Sequence, residues 1–206
     1  VADNWALLFA QEQALRLGVP LVVLFCFVPG YLGTLARQER FMRQGLVQVA
    51  HALDGLRIPF LFLEQNPVSA IPPLLDRLRA GCLVADFTPL RLSRDWKRRV
   101  ADAIRIPFAV VDAHNIVPCR AASPRAEFAA RTFRPKLLRL LPDFLVEPAP
   151  MVSHPFRLPT PASQESVPFA DIADPRAIPD RYLPPSGEAA ACRCLDRFLQ
   201  EGLDRY

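Results

Sequence analysis

Apolar and polar positions alternate between two periods along the first half of the chain, and that alternation predicts its elements. Trp5, Leu8, Phe9 and Leu15 recur at helical spacing, with Asp3 as the expected N-cap and Gly18 as the stop. Leu21 to Phe27 is an unbroken apolar run, the pattern of a strand covered on both faces, and Pro29-Gly30 turns the chain out of it. Met42, Leu46, Val49, Leu53 and Leu56 then follow at alternating steps of four and three, a buried stripe on a long helix. Phe60 to Leu63 predicts a second strand. Pro72 and Pro73 fit a first helical turn leading to Leu74, Leu75 and Leu78. Cys82 to Phe87 is the next strand, Ser93 is the expected cap of a helix bearing Trp96, Val100 and Ile104, and Phe108 to Val111 is the last clear strand.

Helices and strands alternating through short loops predict an α/β fold with a doubly wound, mostly parallel, Rossmann-like sheet. The chain opens on a helix, so the first strand of such a sheet is expected to be missing. Beyond Asp112 the pattern changes: Ser123-Pro124 predicts a helix start, Pro135 another, and Pro142 its end. From Pro148 onward frequent prolines exclude regular helix, predicting a connector with Phe156, Phe169, Ile172 and Tyr182 as apolar anchors. Helical spacing resumes after Ser186, with Leu195, Phe198, Leu199 and Leu203 on one face. A single amphipathic helix cannot bury its own stripe, so this one is expected to pack elsewhere or to open a further domain. The expected division is therefore 1–147 for the α/β domain, 148–185 for the connector and 186–206 for the first helix of a following domain.

Composition narrows the function classes. With 206 residues, 51% of them apolar and 22% charged, a packed core is expected rather than disorder. No apolar run approaches the roughly 20 residues that span a bilayer, and Val1 to Asn4 lacks the flank of a secretion signal. Five cysteines, odd in number and mostly within apolar runs, predict reduced core thiols in a cytosolic protein. Cys192 and Cys194 stand two apart on a helix, a spacing that sends them in different directions, and no metal site is expected. With 8 glycines and no glycine-rich phosphate loop, a nucleotide dehydrogenase or P-loop enzyme is excluded. No GxSxG or HExxH pattern occurs either.

The candidate chemistry sits where strands end. Asp112, His114 and Asn115 directly follow the strand ending at Val111, and Phe87 and Thr88 follow the previous one. Ligand-contacting side chains in open α/β sheets come from this carboxyl edge, where polar groups could bond a planar heterocycle and Phe87 could stack on it. The alternative is that Asp112 and Asn115 tie the strand–loop corner through local bonds. Arg120, Arg125, Arg131, Arg134, Lys136 and Arg139 face a single Glu127 in the next segment, a basic run suited to phosphate or an acidic partner, or simply to solvent.

Several of these segments together resemble class II cyclobutane pyrimidine dimer photolyases. They are Asp3-Asn4-Trp5-Ala6-Leu7, Pro20 to Val23 with Phe25-Cys26, Asp86 to Arg91, Asp112 to Pro118, Ala130 to Lys136, and Gly187 to Ala190 with the helix to Tyr206. The resemblance runs in order over essentially the whole chain. It implies a flavoenzyme that uses light and reduced FAD to split pyrimidine dimers in damaged DNA. It also implies an amino-terminal α/β domain able to hold an antenna pigment, often a deazaflavin, and a partner FAD-binding helical domain. In such proteins a strand precedes the Asp-Asn-Trp segment and a long helical domain follows the final helix. This chain is accordingly expected to be an amino-terminal fragment, cytoplasmic and associated with DNA, without membrane or metal. Antenna contacts would be Phe87, Thr88, Asp112, His114 and Asn115. Arg131, Arg134 and Lys136 match the family motif and would serve phosphate, DNA or domain docking, and no catalytic residue is assigned. Two rivals are a photolyase-derived module that binds a nucleotide or flavin-like ligand without chemistry, and a vestigial fragment that contacts DNA.

Overall fold

Two β-α-β units form the framework of the chain. In the computed structural model, which describes residues 1–158 and 184–206, β1 (Val23–Cys26) pairs in parallel with β2 (Phe60–Leu63), Val23 lying opposite Phe60. The long helix α2 (Ala36–Gly55) connects them. β3 (Leu83–Asp86) pairs in parallel with β4 (Phe108–Val111), Leu83 opposite Phe108, and α4 (Arg91–Ala103) connects those two. The other α-helices of the described residues are α1 (Trp5–Leu17), α3 (Pro67–Leu78), the single turn α5 (Cys119–Ala122), α6 (Ala130–Phe144) and α7 (Glu188–Glu201).

The one sheet expected from the sequence is two two-stranded parallel ladders among the described residues. The residues divide accordingly. One unit comprises Val1–Val19 with Pro67–Val152 and contains β3 and β4; the other comprises Pro20–Asn66 with Ser153–Tyr206 and contains β1 and β2.

In the β1–β2 unit the core is aromatic and aliphatic: Phe27, Leu53, Ile58 and Leu61 are at most 2% exposed. Burying each such side chain contributes about 1.5–3 kcal/mol. Arg43 of α2 enters this core, its guanidinium 4.1 Å from the ring centre of Phe27 and 5.1 Å from that of Phe62, with Glu64 as its ion-pair partner. Glu39, one turn earlier and also buried, accepts from the Gly30 N–H at 2.7 Å and holds the loop after β1. Burial also pushes the Cys26 thiol up to about 11. His154 is fully buried here, its N–H donating to the Leu56 carbonyl at 2.8 Å and its ring edge-on to Phe156.

In the β3–β4 unit, Leu75, Leu83 and Val100 form a core on which Val68, Ile71, Ile104, Ile106 and Phe108 pack. The residues α1 buries are Ala6, Gln11 and Ala14, whereas Trp5, Leu8 and Phe9 are half-buried and Leu15 is exposed.

Several boundaries differ from the sequence expectation. Asn4, not Asp3, caps α1, accepting from the Leu7 N–H at 2.8 Å, while Asp3 takes a left-handed conformation. α3 begins at Pro67, a favoured first-turn residue, and carries Pro72 and Pro73 inside, where they withdraw two intrahelical donors. α4 begins at Arg91, so Ser93 lies within it, and α6 begins at Ala130 with Pro135 and Pro142 inside. The cysteines also depart from expectation: Cys82, Cys119, Cys192 and Cys194 are exposed, and only Cys26 is half-buried. The anchors Phe169, Ile172 and Tyr182 lie outside the described residues. No helix among the described residues is long and apolar enough to cross a membrane.

Candidate functional site

The parallel register of β3 and β4 sets Asp86 opposite Val111, so the chain leaves both strands at the same edge of the ladder. Phe87 extends the pairing by one step, its N–H donating to the Val111 carbonyl at 2.7 Å. Its side chain and that of Thr88 are half-buried, and the Thr88 hydroxyl accepts from the Leu90 N–H at 3.4 Å within the turn into α4. Phe87 and Thr88 thus lie beside Asp112 at neighbouring strand ends, as the two-strand pattern predicts.

Asp112 organises the second loop. Its carboxylate accepts from the Asn115 side-chain amide at 2.9 and 3.1 Å, from the Cys119 N–H at 2.9 Å and from the His114 N–H at 3.3 Å. Burial raises its pKa, but the bonds from Cys119, Asn115 and His114 outweigh that and hold it below the usual carboxylate range. The acceptor oxygens are therefore committed to the corner between β4 and α5. Cys119 feels the same charge from the other side: burial and then the Asp112 carboxylate raise its thiol pKa, which leaves it a poor nucleophile. His114 is exposed.

Two further groups reach this edge that the sequence pattern did not single out. The Asn4 side chain, besides capping α1, donates to the Asp86 carboxylate at 3.4 Å. Lys97 of α4 is lowered in pKa by burial, opposed by attraction to Asp86.

The basic segment separates into different roles. Glu127, with a side chain 12% exposed, accepts from Ser123 at 2.8 Å and Thr132 at 2.9 Å and pairs with Lys136. The bonds from Lys136, Ser123 and Thr132 hold its carboxyl down at about 2. Lys136 is thus tied into the α5–α6 junction, whereas Arg131 and Arg134 are exposed. Beside this junction lies an open hollow of about 330 Å³ lined by Cys119, Ser123, Arg125, Glu127, Phe128 and Phe133. The sequence signal for this cluster was a lone acid in a basic run, with a serine four residues before it and a threonine five after. Among the described residues no group of three or more His, Cys, Asp or Glu could hold a metal ion.

Comparison with known proteins places this architecture. The crystal structure of a Synechocystis cryptochrome matches with a TM-score of 0.66 over 96% of this chain and 44% of that one, at 15% identity, a likeness of fold alone. The profile of the family described as DNA photolyase matches residues 1–155. The deoxyribodipyrimidine photo-lyase of Potorous tridactylus is 38% identical over 100% of this chain and 40% of that protein. That of Arabidopsis thaliana is 44% identical over 70% of this chain and 30% of that protein, and that of Methanothermobacter thermautotrophicus 31% over 98% and 45%. The chain belongs to the DNA photolyase family. It spans less than half the length of these curated relatives.

Proposed function

We propose that this chain is the antenna side of a class II cyclobutane pyrimidine dimer photolyase, a light-driven DNA-repair flavoprotein. In this reading residues 1–147 form a doubly wound antenna domain, 148–185 connect it, and 186–206 open a helical FAD-binding domain. The observation that carries it is the shared carboxyl edge of β3 and β4 in a chain of this family.

A planar pigment needs an apolar face and a few convergent polar groups. Half-buried Phe87, the Thr88 hydroxyl and the exposed His114 imidazole meet that need and would hold a deazaflavin-type pigment. Asp112 and Asn115 fit differently: their polar atoms are engaged with each other and with Cys119, so they set the shape of the loop that presents His114. Such a pigment supplies absorption of near-ultraviolet and blue light, while dimer cleavage belongs to reduced FAD on the helical domain, and no catalytic residue is assigned here. Support for a following domain comes from α7, whose Leu195, Phe198 and Leu199 are 55%, 40% and 50% exposed along one apolar face. Arg131 and Arg134 remain available for phosphate or domain docking, with Lys136 positioning the segment through Glu127.

The test starts from the protein expressed with its native flanking coding sequence. Its absorbance should show FAD and a second near-ultraviolet or blue chromophore, and it should repair dimer-containing DNA under illumination. Phe87→Ala and His114→Ala should lower the second absorbance while leaving FAD content unchanged. Retention of that chromophore by the double variant would overturn the site. A bound chromophore without light-dependent repair would favour the ligand-binding module instead.

A further inference from the structure

We propose that the hollow beside the α5–α6 junction binds a small ligand combining an aromatic ring with a carboxylate or phosphate group. Phe128 and Phe133 line it with Ala129 and Ala130, and Arg125 stands on the same lining. Phe128 is wholly exposed, so its ring is buried against nothing in the described chain. Phe133 is half-buried in the first turn of α6. Two phenyl side chains on one concave surface give the ring of a ligand apolar surface to pack on.

The charge of the lining has a defined sign. Its acid, Glu127, takes hydrogen bonds from Ser123 and Thr132 and an ion pair from Lys136, so that charge is answered within the chain. Arg125 is exposed, and among the described residues it enters no ion pair or hydrogen bond. Residues 120–136 hold five basic side chains against Glu127, a formal excess of +4. The Cys119 thiol, raised in pKa by burial and by Asp112, stays protonated at neutral pH and adds no negative charge.

These groups select a chemistry. The planar fork of arginine pairs with two oxygens of one carboxylate or phosphate. A cationic ligand would meet Arg125 with no unspent acid to receive it. A sugar would find few polar partners, since the Ser123 hydroxyl already donates to Glu127. At about 330 Å³ the hollow lies at the small end of ligand pockets, which suits one or two rings and not a dinucleotide. It is also far smaller than the surface a protein partner needs, about 800 Å² on each side. Phe87, Thr88 and His114 are not among its lining residues, so the site does not rest on the antenna reading.

The experiment titrates the full chain with 1-naphthyl phosphate and with 1-naphthoate, following backbone amide shifts by nuclear magnetic resonance. The separate halves, 1-naphthol and inorganic phosphate, are titrated alongside. At least one aryl anion should bind about tenfold more tightly than either half, with the largest shifts at Ala129, Ala130 and Phe133. The tighter of the two anions identifies the group the site takes. Arg125→Gln should weaken that anion about tenfold and leave 1-naphthol unchanged, and Arg125→Lys should recover part of the loss. Phe128→Ala should weaken the anion and 1-naphthol alike, by about threefold or more. Arg37→Gln, an exposed arginine outside the lining, should change neither. Far-ultraviolet circular dichroism checks folding, which substitution of the exposed Arg125 and Phe128 should leave intact. No binding by either aryl anion, equal binding by inorganic phosphate alone, or an anion affinity unmoved by Arg125→Gln would each overturn the proposal. So would shifts centred on Phe87 and His114 with the hollow unmoved. Neither pigment nor repair enters the measurement, so failure here leaves the antenna reading standing, and loss of the pigment site leaves this binding intact.

Discussion

The side-chain amide of Gln11 grips the backbone of Val152 from both sides, donating to its carbonyl at 2.7 Å and accepting from its N–H at 3.0 Å. Gln11 is 4% exposed, so α1 holds the strap that follows α6 through one buried polar side chain. Gln11→Leu keeps the volume but strands both backbone groups, and each unsatisfied group costs about 1–3 kcal/mol. The expected result is a lower denaturation midpoint and rapid amide exchange at Val152. Gln11→Glu should also destabilise, since an ionised carboxylate accepts but cannot donate. Unchanged exchange at Val152 in the Leu variant would refute the clamp.

The four bonds to Asp112 make a separate prediction about the carboxyl edge of β3 and β4. Asp112→Ala removes the acceptor for the Cys119 N–H and frees Asn115, costing about 1 kcal/mol, the usual worth of a capping carboxylate. On the proposed antenna reading, pigment affinity should fall as well, because the loop bearing His114 loosens. His114→Ala should lower affinity with little effect on stability, since that side chain is exposed. Thermal unfolding and pigment titration on the same two variants separate positioning from contact. Equal stability losses in both would contradict the division.

The strands were legible because each is an apolar run ended by polar residues, whereas the register of β3 with β4 is set by the parallel ladder and could not be read from the runs themselves. Much else depended on partners distant in sequence. Gln11, Glu39 and Arg43 sit on helices where a hydrophobic count marks them as solvent-facing, yet all are buried because Val152, Gly30 and the Phe27–Phe62 pair satisfy them. Proline misplaced three helix starts: Pro72-Pro73 and Pro135 fit first turns by local preference, but packing carries α3 and α6 through them, and at Ser123-Pro124 no helix begins, Ser123 instead closing α5. At the candidate edge the residue types of Phe87, Thr88 and Asp112 were readable. The sequence offered two readings of Asp112 and Asn115, ligand contact or a tie across the strand–loop corner, and the bonds from the His114, Asn115 and Cys119 donors favour the tie, with the Cys119 N–H arriving from seven residues on.

Glu127 gives a pH prediction with a defined sign. Its carboxyl is lowered from 4.5 to about 2 by the hydrogen bonds from Lys136, Ser123 and Thr132. A depressed carboxylate contributes its stabilisation fully above the unfolded value and loses it as pH falls through the folded value. The α5–α6 junction should therefore hold above about pH 4.5 and weaken progressively between pH 4.5 and 2. A carbon-13 titration of the Glu127 carboxyl should give a midpoint near 2 in the parent chain and a higher one in Lys136→Met. A midpoint at the ordinary value in the parent would sink this account. Glu127→Gln should remove this group's share of the acid-induced loss of Thr132 amide protection.

Gly187 controls how α7 joins α2. Its φ of 86° and ψ of 173° fall in a region open essentially to glycine alone. A Cβ built there would collide with the side-chain amide of Gln48, whose Nε2 donates to the Ser186 carbonyl at 2.9 Å. Gly187→Ala thus imposes two penalties: a backbone strain of about 1–3 kcal/mol and displacement of Gln48. Gln48→Ala in that background removes the clash but not the strain, so recovery should be partial. Hydrogen exchange at Ala191 is the readout, because its N–H donates to the Gly187 carbonyl in the first turn of α7. This amide should exchange faster in Gly187→Ala and only partly slow in the double variant. Full recovery on removing Gln48 would show that crowding, not backbone conformation, requires glycine here; no change in Gly187→Ala would show that α7 docks without this turn.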